Sequence, residues 1–160
     1  MGSKNRIAKE LLPFICRDLK EGVWYVEPFV GGANMIDKIN HPLKIGADNN
    51  KYLIALLEYV QAGNTLPEFI EKEEYLNVKD NPEYYSDWYV GYVGFICSFR
   101  GKFFGGYSGI SNTADGIRNY IRERSNNLLK QDLKGIKLVC SSYDTLDIPK
   151  GSVIYCDPPY

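Results

Sequence analysis

Several quick diagnostics are missing from this chain. Histidine occurs once, and the four cysteines (Cys16, Cys97, Cys140, Cys156) are scattered, with no C-x-x-C pair and no histidine beside them. That excludes the usual zinc spacing and a disulfide framework, and no metal is expected. All four cysteines have apolar neighbours and are expected to be buried thiols. No apolar run approaches the roughly 20 residues that cross a bilayer, and nothing at the start has the form of a signal peptide. No membrane association and a reducing cytoplasm are therefore expected. Internal repeats and low-complexity tracts are absent, and so is any excess of one charge, the formal net charge being -1. The total thus points neither to disorder nor to a basic nucleic-acid coat.

What is present is a length of 160 residues, 44% hydrophobic, enough for one substantial core. The charges are sorted along the chain. Eight acids stand against two lysines from Glu58 to Asp87, whereas eight Lys or Arg stand against three acids from Phe99 to Lys137.

Helical spacing of Ile7, Leu11, Leu12, Ile15 and Leu19 predicts a helix over Asn5 to Leu19, interrupted at Pro13. "VWYVEPF" predicts a strand closed by Pro28 and Gly31-Gly32. Ala33 to Ile39 has helical character, "LKIGAD" predicts a second strand, and Asn49 to Ala62 a helix with Leu53, Leu56, Leu57 and Val60 on one face. The rhythm then breaks. The next stretch holds the acidic run, the aromatic "YYSDWYVGYVGFICSF", the glycine-rich "GKFFGGYSG" and a basic helix predicted around "GIRNYIRERSNNLLKQ". "GIKLVCSS" and "SVIYC" restore the alternation as third and fourth strands. The expected fold is α/β, with parallel strands formed by residues 1–62 and 134–160 and an insertion over 63–133.

Open α/β sheets bind ligands at the carboxyl ends of their strands. Here those ends carry Glu27-Pro28-Phe29 with Gly31-Gly32, then Asp48, then Ser142-Tyr143-Asp144, then Asp157-Pro158-Pro159-Tyr160. Glycines after a first strand admit a close ligand, and an acid after the second can accept bonds from ribose hydroxyls, the pattern of an adenosine-containing cofactor. The first loop is not G-x-G-x-x-G, which disfavours a dinucleotide. Glycine pairs also serve plain turns, and Asp48 before Asn49 fits a helix cap as well as a ribose ligand. Two prolines directly after a strand, by contrast, fix an extended loop that aims both the acid and the ring.

"EPFVGGANM", "ADNN" and "YCDPPY", with the amino-terminal "GSKNRIAKELLPFI", resemble in content and order the motifs of Dam-type (D12 class) DNA adenine-N6 methyltransferases. The resemblance implies a Rossmann-like sheet binding S-adenosylmethionine, with target recognition inserted ahead of D-P-P-Y. It implies that Asp157 and the Pro158 carbonyl accept hydrogen bonds from the target amine while Pro159 and Tyr160 complete the loop and the ring stacks on the base. Double-stranded DNA is the implied partner, with the base flipped out of the stack. For the cofactor it implies Lys4, the segment containing Glu27, Phe29, Gly31 and Gly32, then Asp48, Asp157, and Ser142-Tyr143 at a place where members often carry an Asp-aromatic pair. "SFRGKFFGGYSG" resembles the family's recognition segment. Arg100 and Lys102 would meet phosphates, Tyr107 and the phenylalanines would stack beside the duplex or form a small core, and Arg118, Arg122 and Arg124 would add charge within two helical turns.

Relatives continue past D-P-P-Y, so part of the sheet is expected to be absent. Strands in the order 3-2-1-4 would leave the fourth as an apolar edge for a complementing chain or a second copy. Cytosine-N4 or RNA-base methylation, and a noncatalytic nucleic-acid-binding remnant, are the competing expectations. Restriction pairing, repair marking and phage protection would use the same residues.

Overall fold

A computed structural model of the chain describes residues 7–158. In chain order the regular elements are α1 (Ala8–Cys16), β1 (Tyr25–Glu27), β2 (Lys44–Asp48), α2 (Lys51–Gln61), α3 (Lys72–Asp80), α4 (Asp87–Gly91), β3 (Ile110–Thr113), β4 (Gly116–Asn119), α5 (Tyr120–Leu129), β5 (Ile136–Cys140) and β6 (Val153–Ile154). Short 3-10 turns lie between them, and a π-helical turn over Tyr92–Ile96 continues α4. Among the described residues no helix is long and apolar enough to cross a membrane. The chain divides into two compact units, one over Ala55–Lys130 and one joining the residues up to Ile54 to those from Gln131 onward.

The second of these units is built on a Rossmann-like sheet in the order β5-β2-β1-β6, every pairing parallel. This is the 3-2-1-4 order expected from the sequence. Tyr25, Val26, Ile45 and Ala47 are fully or almost fully buried, as short strands covered on both faces require. Gly46, in the centre of β2, lets Val30 approach: an added Cβ would stand 2.8 Å from Val30 Cγ2. The edge strand β6 leaves Ile154 48% exposed.

In the other unit the core is mostly aliphatic, and the buried tyrosines within it supply polar ties. Tyr59 stacks on Trp88, and the buried Tyr92 donates its hydroxyl proton to Pro67 O at 2.9 Å. Tyr75, also buried, shares a 3.0 Å bond with Ser98 Oγ and accepts from the Gly106 amide at 3.1 Å. On α2, Leu53, Leu56, Leu57 and Val60 are buried, as their spacing indicated.

Several expectations are corrected. The basic helix begins only at Tyr120, since residues 116–119 form β4 of an antiparallel hairpin with β3. Gly116 at φ +111° after Asp115 turns the chain there. Ala33 to Ile39 forms no α-helix, only a 3-10 turn at Ile36–Lys38, because Ala33 takes a left-handed φ of +56°. Helix α1 is a single piece containing Pro13, and of its residues only Ala8 is buried; Ile7 and Phe14 are exposed. Of the cysteines only Cys97 is buried; Cys16 ends α1, whose one buried residue is Ala8, and Cys140 and Cys156 end or follow the two edge strands, which among the described residues pair on one side.

Candidate functional site at the carboxyl ends of the parallel strands

Because β1, β2, β5 and β6 run parallel, their carboxyl ends lie along one rim, and Glu27, Asp48, Ser142, Tyr143 and Asp157 stand at or just beyond those ends. Glu27 is the last residue of β1, and its side chain shares a strand face with Tyr25 two positions earlier. The Tyr25 hydroxyl donates to Glu27 Oε1 at 2.6 Å. Glu27 is 3% exposed, and burial, reinforced by the charges of Asp37 and Asp157, raises its carboxyl to about 8 against the opposing pull of the Tyr25 bond and Lys38. The folded chain therefore holds this proton well above the usual carboxylate range. Burial, with Glu27 next in weight, pushes the Tyr25 phenol far above its ordinary range.

The loop after β1 turns sharply. Pro28 is buried and Phe29 half-buried. The Val30 amide donates to Ala47 O at 2.8 Å, which ties the loop to β2. Gly31 has φ +49° and Ala33 φ +56°, and the latter is a fully buried L-residue in the left-handed region. Such a conformation costs about 1–3 kcal/mol and persists where its surroundings over-determine it. At Gly32 an added Cβ would stand 2.9 Å from Asn34 Nδ2, so the glycine leaves exposed backbone next to that side chain.

Asp48 ends β2, and its Oδ1 accepts from the Asn50 amide at 2.9 Å. Asn50, not Asp48, caps α2: its Oδ1 accepts from the amides of Tyr52 and Leu53 at 3.0 and 3.1 Å. The Asp48 carbonyl accepts from Ser141 N at 3.0 Å, drawing the end of β5 alongside. Beyond β5, Ser142 is half-buried and Tyr143 62% exposed, with its ring 5.4 Å from that of Phe29, centroid to centroid. After β6, Asp157 is half-buried and Pro158 exposed. Lys4, Pro159 and Tyr160 lie outside the described residues.

The rim thus brings together Glu27, Phe29, Gly31, Gly32, Asp48, Ser142, Tyr143 and Asp157. Glycine backbone, a carboxylate ending the second strand and two aromatic faces are a set of groups whose chemistry fits an adenosine-bearing ligand. Two residues not anticipated from sequence join them. Tyr25 was legible, since period two places it beside Glu27. Gln131 was not, because its partners Gly32 and Asn34 lie almost a hundred positions away.

In the other unit Arg100, Lys102, Arg118 and Arg122 are exposed. Arg100 takes φ +53°, and its guanidinium lies 5.3 Å from the Phe99 ring. Arg118 lies on β4 and forms a fork with Glu123 at 2.7 Å, so it does not share a helix with Arg122 and Arg124. Tyr107 is half-buried, its hydroxyl donating to Ile70 O at 2.7 Å and its ring near Tyr75. Arg124 faces inward, donating to Ile96 O and Ser98 O, both at 2.9 Å, and to Ser108 Oγ at 3.1 Å.

Comparison with known proteins leads to the same family. The family model described as D12 class N6 adenine-specific DNA methyltransferase matches residues 1–122. Proteins named DNA adenine methylase from Salmonella typhi and from Salmonella typhimurium are each 32% identical over 178 aligned positions, covering 94% of this chain. The chain spans 60% of the length of those curated relatives. With the family model covering most of its length and the parallel sheet in the expected order, the chain belongs to the D12 class N6 adenine-specific DNA methyltransferases.

Proposed function

We propose that this chain carries the cofactor-binding rim and the amine-binding loop of a DNA methyltransferase acting on adenine N6, with S-adenosylmethionine as methyl donor. The observation that carries the reading is the alignment of Glu27, Gly31-Gly32, Asp48, Tyr143 and Asp157 on one rim of four adjacent parallel strands. Asp48 would accept from the ribose hydroxyls, Phe29 and Tyr143 would flank the adenine, and the Glu27–Gly32 segment and Lys4 would enclose the methionine end. S-adenosylmethionine, when bound, supplies an electrophilic methyl group on a sulfonium.

The exocyclic amine of adenine is a weak nucleophile because its lone pair is delocalised into the ring. Asp157 and the Pro158 carbonyl would accept its two N–H bonds and hold the nitrogen closer to tetrahedral, which localises the lone pair. Pro159 would keep the loop extended and Tyr160 would stack on the flipped base, offsetting a few kcal/mol of unstacking. In the 55–130 unit Arg100, Lys102, Arg118 and Arg122 would meet phosphates. Tyr107, whose hydroxyl is tied to Ile70 O, would stack beside the distorted duplex.

Nucleoside mass spectrometry on duplex DNA and RNA incubated with the chain and labelled S-adenosylmethionine tests the proposal. Labelled N6-methyladenine in DNA is the expected product. Label on cytosine N4 or only in RNA would replace the substrate, and salt-dependent DNA binding with no labelled base would leave a binding module.

A further inference from the structure

The strained loop after β1 has a brace that none of the motifs contains. Three backbone bonds hold part of the loop: Val30 N–H to Ala47 O at 2.8 Å, Ala33 N–H to Val30 O at 2.9 Å and Asp37 N–H to Ala33 O at 3.3 Å. Gly32, between two residues of positive φ, is held instead by a side chain. Gln131 Nε2 donates to Gly32 O at 2.8 Å and to Asn34 Oδ1 at 3.3 Å. Two acceptors at one nitrogen fix the direction of the amide, because turning it over would set Oε1 against both. This orientation leaves Gln131 Oε1 buried with no hydrogen-bond partner among the described residues. A buried acceptor left unmade is a destabilising arrangement, so the amide is oriented by what the loop needs and not by its own satisfaction.

We infer that Gln131 is a positioning residue for cofactor binding: through Gly32 O and Asn34 Oδ1 it sets the shape of the loop that faces the methionine end of S-adenosylmethionine, without touching cofactor or base. The inference rests on the reading under Proposed function. It is local to the sheet-bearing unit, to which Gly32, Asn34 and Gln131 all belong.

Two variants test it. Gln131→Met keeps the length of the side chain and removes both donors, and it also removes the orphaned acceptor, so the unliganded chain is expected to melt no lower than wild type. Gln131→Glu places a carboxylate oxygen where the amide nitrogen stood, facing two acceptors. Calorimetric titration with S-adenosylmethionine is expected to show roughly tenfold weaker binding for Gln131→Met, the cost of ordering the loop on the ligand. The KM for the cofactor should rise in parallel, while kcat at saturating cofactor and the KM for DNA stay within about twofold of wild type. In Gln131→Glu the lost affinity should return as pH falls into the carboxylic acid range, where the side chain regains a donor. Wild-type binding with unchanged affinity in both variants, or a fall in kcat with no change in cofactor KM, overturns this inference and leaves the proposed activity standing. A wild-type chain that binds no S-adenosylmethionine removes both.

Discussion

Gly46→Ala tests how tightly the sheet is packed beneath the glycine loop. The added methyl would stand 2.8 Å from Val30 Cγ2, 3.3 Å from Val30 Cβ and 3.4 Å from Ile36 Cδ1, all closer than or at the edge of ordinary contact. Val30 has little room to give. It is 4% exposed, its amide is tied to Ala47 O at 2.8 Å, and its β-branched side chain has few rotamers. Overpacking of this kind costs about 1–3 kcal/mol, which for a chain of this size corresponds to a melting midpoint lowered by roughly 2–12 °C. Val30→Ala alone removes two buried methyls and should cost about 1–3 kcal/mol through lost burial and the space left behind. Together the substitutions relieve each other, since the new methyl occupies the vacated volume. The double variant should therefore be more stable than the sum of the singles by about 1–2 kcal/mol. Denaturant melts of the four proteins measure this cycle, and cofactor titration should show Gly46→Ala binding more weakly because Val30 leads directly into Gly31-Gly32. Strict additivity, or a Gly46→Ala protein as stable as wild type, would refute the reasoning.

The remaining predictions concern charge. Glu27 is raised by burial from 4.5 to about 8, so the folded chain holds that proton more tightly than the unfolded one and stability falls as pH rises between those values, by at most about 1.4 kcal/mol per pH unit. Glu27→Gln, which keeps an acceptor for Tyr25, should gain on wild type across that window and level off above it; parallel melting curves over pH 5–9 (roughly the interval in question) would contradict this assignment. Arg124→Met removes the donors to Ile96 O, Ser98 O and Ser108 Oγ and should cost about 2 kcal/mol or more in the stability of the 55–130 unit. Arg122→Ala should instead leave stability unchanged and reduce the salt dependence of DNA binding by a slope of about 0.9; the opposite partition would show that Arg124 faces the DNA.

Much of the rim was legible in the one-dimensional pattern. Short apolar strands bounded by glycine, proline and acids announce themselves locally, and chain order alone places Glu27, Asp48, Tyr143 and Asp157 at the ends of successive parallel strands. The β3–β4 hairpin had a local signal too, the Asp115-Gly116 turn, but basic residues on both sides of Asn119 gave the segment a helical look that hid the strand. Arg118 was placed on a helix for that reason.

Other properties had no local signal at all. Cysteines with apolar neighbours in sequence proved exposed at Cys16, Cys140 and Cys156, because exposure depends on whether a further element covers them in space. The upward shift of the Glu27 carboxyl arises from burial, reinforced by Asp37 and Asp157, which segments far apart in sequence bring beside it. The inward turn of Arg124 and the grip of Gln131 on Gly32 likewise depend on carbonyls distant in sequence. Periodicity and turn chemistry act over a few residues, so the ends of the four parallel strands can be read from linear order. Desolvation and long-range hydrogen bonding act through space, so the raised Glu27 carboxyl, the inward turn of Arg124 and the hold on the loop at Gly32 emerge once the chain is folded.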